Sequence, residues 1–176
     1  MGSLPELSCA PAFLDRLEAA DREALVALGR RRRHPPRSIV FFAGDDAHEV
    51  VLVASGHLKI TMAVADREMV LDVFSPGDVV GELSILAGGP RSATATTLTT
   101  SELCVIGADD LRAYLDDRPH VTTLLWAGVV DRLRRASLRQ VESGALDGVG
   151  RVCARLVEMM ARFGEPGDDG TVIDGP

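Results

Sequence analysis

Residues 81–94 read Gly81-Glu82-Leu83-Ser84-Ile85-Leu86-Ala87-Gly88-Gly89-Pro90-Arg91-Ser92-Ala93-Thr94. A carboxylate and a guanidinium stand nine positions apart, joined by a short apolar segment and a Gly-Gly-Pro corner. Arg91 offers a planar fork of donors suited to phosphate oxygens. Glu82 can accept a hydrogen bond from a sugar hydroxyl. The pair is complementary at both ends to a cyclic phosphodiester on a ribose. Glu82 to Ala87 has room for one short helix, whose free first-turn amides and partial positive charge favour an anion. Gly81 lets the backbone come close. The plainer alternative is a surface ion pair across a turn.

The segments on either side fit the same picture. Ser55-Gly56-His57-Leu58-Lys59-Ile60 and Phe74-Ser75-Pro76-Gly77-Asp78-Val79-Val80 each read as a turn leading into or out of a strand. With the glycine, glutamate, proline, arginine, small hydroxyl and alanine in order, residues 81–93 resemble the phosphate-binding cassette of cyclic-nucleotide-binding domains. The resemblance runs from about Phe13 to Phe163. It implies that Glu82 meets the ribose hydroxyl and Arg91 the cyclic phosphate. Gly81, Leu83, Ser84 and Ala93 are expected to give backbone amides or close packing. Ser92 is expected to add a bond to phosphate or to a guanine edge, and decides neither base.

Upstream and downstream of the cassette, short runs rich in Val, Ile, Thr and Phe recur at 38–43, 49–54, 58–64, 68–74, 93–98 and 102–106. They are bounded by Gly, Asp, Ser or Pro. Gly44-Asp45-Asp46 reads as a turn and Ala65-Asp66-Arg67 as a hairpin tip. Strands at that spacing predict a mainly β fold with flanking helices, an antiparallel β-roll of the double-stranded β-helix or jelly-roll kind. Before it, Phe13, Leu14, Leu17, Ala20, Ala24, Leu25 and Leu28 recur at helical spacing and predict one or two N-terminal helices.

After Asp109 the period changes. Val121, Leu125, Trp126, Val129, Val130, Leu133, Ala136, Ser137 and Val141 lie near one face of a helix from about Pro119 to Ser143. A stripe that long wants a partner, and in the resembled family this helix is a dimer seam, so a homodimer through it is expected. The other reading packs the stripe on its own roll. Asp147 reads as the cap of a second amphipathic helix carrying Val149, Val152, Leu156, Val157, Met160 and Phe163, ended by Gly164 to Gly170.

This order of elements resembles a Crp/Fnr-type transcription regulator, whose short helix leads into a winged helix-turn-helix. Too few residues follow Phe163 for that motif, so the expectation is a chain truncated before it: DNA is a partner of the parent protein and not of these residues. The expected domains are 1–112, the nucleotide-binding roll; 113–146, the dimerisation helix; and 147–176, the short helix and the start of a DNA-binding domain. Cyclic AMP is expected ahead of cyclic GMP as ligand. Ala136-Ser137 align where cyclic-AMP-binding members carry Thr-Ser, so Ser137 is a candidate purine contact. Equally, the two are small residues that let helices approach.

Charged residues make up 26% and hydrophobic ones 46% of 176 residues, with a net charge of −7, so the chain has no overall pull toward nucleic acid. Arg30 to Arg33, and Arg132, Arg134, Arg135 and Arg139, read as solvated helix faces. No apolar run approaches the roughly 18 residues of a membrane span, and Met1 to Pro11 lack a secretory signal. No membrane partner and a cytoplasmic location are expected. Cys9, Cys104 and Cys153 form no Cys-x-x-Cys pair, and His34, His48, His57 and His120 show no ligand spacing, so no metal is expected. Nothing marks a catalytic nucleophile, and no enzyme is expected. Two other roles stay open: a ligand-independent dimeric module with a vestigial cassette, and a regulatory domain fused to an enzyme or channel.

Overall fold

Glu49-Val-Val-Leu-Val-Ala-Ser55 is an apolar run rather than an alternating one, the pattern of a strand covered on both faces. In the computed structural model Val50, Val51, Leu52 and Val53 are all buried within it. The structure describes residues 11–65, 67–145, 147–167 and 170–173. The N-terminal segment with Cys9, the hairpin-tip residue Asp66 and the acidic pair Asp168-Asp169 lie outside these.

A single 3-10 turn, Phe13–Arg16, and helix α1, Ala19–Ala27, open the described chain. The strands are β1 (Arg30–His34), β2 (Ile39–Phe41), β3 (Glu49–Ser55), β4 (Leu58–Val64), β5 (Arg67–Phe74) and β6 (Val79–Val80). Helix α2, Glu82–Ala87, interrupts the series, which resumes with β7 (Thr94–Thr97) and β8 (Ser101–Gly107). Then come α3 (Ala108–Asp116), α4 (Pro119–Ala145), α5 (Gly148–Phe163) and a final hairpin of β9 (Gly164–Gly167) and β10 (Gly170–Ile173).

Ala12–Val130 form one compact unit, and a second begins at Asp131. In the first, two four-stranded sheets with antiparallel pairings have the orders β1-β8-β3-β6 and β2-β7-β4-β5. This is the antiparallel roll expected from the strand spacing. Val51, Val53, Leu58, Phe74, Val80, Ala95 and Leu103 form one apolar layer. Val50, Leu52, Cys104 and Ile106 look the other way, into a second layer shared with Phe13, Leu17, Leu25, Leu111, Tyr114, Leu115, Val121 and Leu125. Alternate residues of β3 and β8 thus supply two cores, each buried aliphatic side chain contributing about 1.5–3 kcal/mol.

The structure differs from the sequence reading in three places. Arg30 to Arg33 are not a solvated helix face: they form strand β1, with Arg30 opposite Val105 and Arg33 opposite Glu102. Pairing with β8 overrides a composition that names no element. Helix α3 is an element of its own ahead of the long helix; its Leu111, Tyr114 and Leu115 are buried at i, i+3, i+4 spacing. The tail after Phe163 forms a strand hairpin where a turn is expected from its glycines. The hairpin tip expected between β4 and β5 is present, with Val64 opposite Arg67 and Ala65 in the left-handed region at φ 52°.

Along α4, Val121 and Leu125 are buried against the roll, whereas Trp126 and Val130 are 43% and 41% exposed. Within the second unit, Leu133 and Val141 are 66% and 67% exposed. The same unit has Asp147 capping α5 through a 2.8 Å bond from the Gly150 amide, as expected. An ion pair of 3.2 Å from Arg139 Nη1 to Glu158 Oε1 joins α4 to α5.

Candidate functional site

Gly81 sits in the left-handed region, with φ 86° and ψ 7°, immediately before α2. A Cβ there would lie 2.4 Å from Arg91 Nη1. The glycine therefore does two things: it turns the chain from β6 into α2, and it leaves room for a guanidinium. Arg91 Nη1 donates to the Gly81 carbonyl oxygen at 2.9 Å, and Nη2 donates to the Glu49 carbonyl oxygen on β3. The Phe41 ring lies beneath, its centroid 4.2 Å from Arg91 Cζ.

Arg91 is 4% exposed, and its buried Nε has no hydrogen-bond partner among the described residues. Burial pushes its pKa down, opposed by the nearby carboxylates of Glu49 and Asp45. Since arginine stays protonated in proteins, an unfilled buried N–H is a standing cost of about 1–3 kcal/mol. An anionic acceptor on that edge would remove it.

The cassette is tied down at both ends of its arginine. The Arg91 amide donates to the Asp45 carbonyl at 2.8 Å, and the Arg91 carbonyl accepts from the Gly44 amide at 2.8 Å. One residue earlier, Ser84 Oγ donates to the Pro90 carbonyl at 3.0 Å, fastening α2 to the Gly-Gly-Pro corner. From the far side, Arg112 Nη2 of α3 reaches the Ile85 carbonyl at 3.4 Å. Glu82 is the first residue of α2 and is 2% exposed, at the positive end of the helix that favours a carboxylate. No side chain of the preceding residue caps that end.

The structure thus gathers Gly81, Glu82, Ser84, Arg91 and the buried Ala93. Leu83 turns a 43% exposed side chain outward and Ser92 is exposed. Ser137 belongs to the second compact unit, where its exposed hydroxyl donates to the Leu133 carbonyl at 3.0 Å. Two contributors escape a reading of the sequence, Phe41 and the Glu49 carbonyl, and the Gly44-Asp45 turn is read as a turn but not as part of the site. In each case the tie is to a residue far along the chain, which no local signal marks. Among the described residues no group of three or more His, Cys, Asp or Glu is placed to hold a metal. No helix of the described residues is long and apolar enough to cross a membrane.

Comparison with known proteins places this geometry among others. A family model described as the cyclic nucleotide-binding domain matches residues 31–118. A CRP-like cAMP-activated global transcriptional regulator of Mycobacterium tuberculosis is 32% identical over 151 residues, 84% of this chain and 67% of that one. The crystal structure of the Thermus thermophilus catabolite activator protein superposes with a TM-score of 0.65 at 29% identity, covering 73% of this chain and 61% of that one. The N-terminal domain of a transcriptional regulator from Streptomyces coelicolor gives 0.57 at 30% identity, covering 76% and 94%. The chain therefore spans about two thirds of the two longer relatives.

Proposed function

We propose that this chain, which belongs to the Crp/Fnr family of cyclic-nucleotide-binding regulators, is the ligand-sensing and dimerisation part of a transcription regulator. Residues 81–93 would take a cyclic nucleotide, with Arg91 on the cyclic phosphate and Glu82 on the ribose hydroxyl. Gly81, Leu83, Ser84, Ser92 and Ala93 would line or support that contact, and Ser137 would reach the purine across the seam of a dimer. The observation that carries this reading is the buried Arg91 Nε, an unmet donor in a cassette otherwise tied to its neighbours. Cyclic AMP is the preferred ligand, in keeping with the cAMP-activated mycobacterial relative.

Residues 1–112 would form the sensor, 113–146 the dimer helix and 147–176 the approach to a DNA-binding domain of the parent protein. The exposed Leu133 and Val141 support a second copy along α4. A nucleotide phosphate would accept from the Arg91 Nε edge while the bonds from Nη1 and Nη2 to the carbonyls of Gly81 and Glu49 hold the guanidinium. The nucleotide shifts the helix pair only so far as it binds one arrangement better than the other. A bacterial cytoplasmic location and a role without catalysis belong to the same proposal.

Calorimetric titration of the purified chain with cyclic AMP and cyclic GMP tests it. Saturable binding of cyclic AMP is expected, weakened by about 3 kcal/mol or more, roughly a hundredfold, in Arg91→Ala. Light scattering should still report a dimer in that variant. An unchanged dissociation constant in Arg91→Ala, or no heat with either nucleotide, would overturn the assignment.

A further inference from the structure

We propose that Phe41 is a positioning residue of the nucleotide site: its ring fixes the plane of the Arg91 guanidinium, so the residue at position 41 sets ligand affinity without touching the ligand. The inference rests on the reading of Arg91 given above. Two in-plane bonds, to the carbonyls of Gly81 and Glu49, pin two corners of the guanidinium. Two points define an axis, and a planar group can still swing about it. The Phe41 ring, 4.2 Å from Cζ, closes that last freedom by presenting a flat, electron-rich face to a desolvated cation. The Nε–H edge, left without an acceptor, is then held in one direction.

The backbone is shaped for this. Ile39 lies opposite Thr96 and Phe41 opposite Ala95, so β2 carries one extra residue against β7. Such a bulge re-aims the side chain that follows it. Phe41 packs against the inner apolar layer, whereas its neighbour Phe42 is 53% exposed. The ring reaches the turn as well: a Cβ on Gly81 would stand 3.5 Å from Phe41 Cε1. Strand β2, the turn before α2 and the arginine after the Gly-Gly-Pro corner therefore meet at one point, and among the described residues Phe41 is the one aromatic ring stacked on this guanidinium.

Leucine at 41 would keep most of the apolar volume and lose the flat face; tyrosine would keep both. Full chains carrying Phe41→Leu, Phe41→Tyr and Val40→Ala are titrated with cyclic AMP beside the unaltered protein and Arg91→Ala. Val40 packs against the same inner layer and serves as the control for lost core packing. Phe41→Leu should bind about five to thirty times more weakly, the range of a desolvated cation–aromatic contact. Phe41→Tyr should stay within about twofold of the parent, and Val40→Ala likewise. Equal loss in Val40→Ala and Phe41→Leu, or none in Phe41→Leu, overturns the inference while the site reading stands.

A second measurement needs no nucleotide. In NMR spectra the Arg91 Nε–H should be shielded by the ring and slow to exchange with solvent. Both properties should vanish in Phe41→Leu and persist in Phe41→Tyr. An Nε–H resonance that ignores the ring overturns the inference whatever the titration gives. A chain that binds cyclic AMP normally without Arg91 overturns the site reading instead.

Discussion

At Gly81 a hydrogen stands where every other residue carries Cβ, and two separate requirements meet on it. The backbone is left-handed there, at φ 86°, and the arginine lies where the methyl would go, 2.4 Å away. Gly81→Ala should therefore destabilise the fold by about 1–3 kcal/mol in urea unfolding. It should also expel Arg91 from its cage and weaken nucleotide binding more than that loss of stability explains. An alanine variant that keeps full affinity would mean the guanidinium has other room. The demand on this glycine is local, and its spacing to Glu82 and Arg91 makes it legible in the sequence alone. The demand on Phe41 is not: fifty residues separate it from Arg91, and nothing near position 41 announces a cation.

The cap of α5 shows how single contacts govern whole elements. Asp147 holds the Gly150 amide, and removing that acceptor in Asp147→Ala should cost about 1 kcal/mol. Hydrogen exchange should report it as faster exchange at Gly150 and Arg151, with Val50 in the roll unchanged. This cap is legible because aspartate ahead of an amphipathic run is a rule of the local chain. Strands β3 to β5 are legible for a similar reason, through apolar and β-branched runs between turn residues. Strand β1 is not. Its four arginines expose both faces of an edge, so no alternation marks it, and its strand state comes from β8, which the chain reaches only much later. Helix α3 carries the right spacing, and only the nearness of a longer helix hides it.

Over the whole molecule, Cys104 offers a probe of global unfolding. Its side chain points into the layer between roll and helices, with Sγ 3.6 Å from the Val26 carbonyl. Burial pushes its thiol pKa up, and Arg31 opposes this only in part. The unfolded chain then ionises first. Stability from this group is complete below the usual thiol pKa of about 8.5 and is lost as pH rises toward the folded value. Urea midpoints should fall above that pH, with a shallower fall in Cys104→Ala. At neutral pH an alkylating reagent should modify the exposed Cys153 at once and Cys104 only as the roll opens.

The pairing of the strands has one more outcome, in time rather than space. β8 lies between β1 and β3, and β7 between β2 and β4. Residues 30–55 therefore cannot complete the sheet of β2 until Thr97 has been synthesised and has found them, nor the sheet of β1 and β3 until Gly107 has. Contacts of such long sequence separation form late in folding, after the entropy of closing the intervening loops has been lost. The arginine cage, drawn from Phe41, Glu49, Gly81 and Arg91, has no half-built form. A nascent or partly folded chain is thus blind to its signal. A nucleotide present during synthesis can act only on the finished roll, by mass action on the folded state.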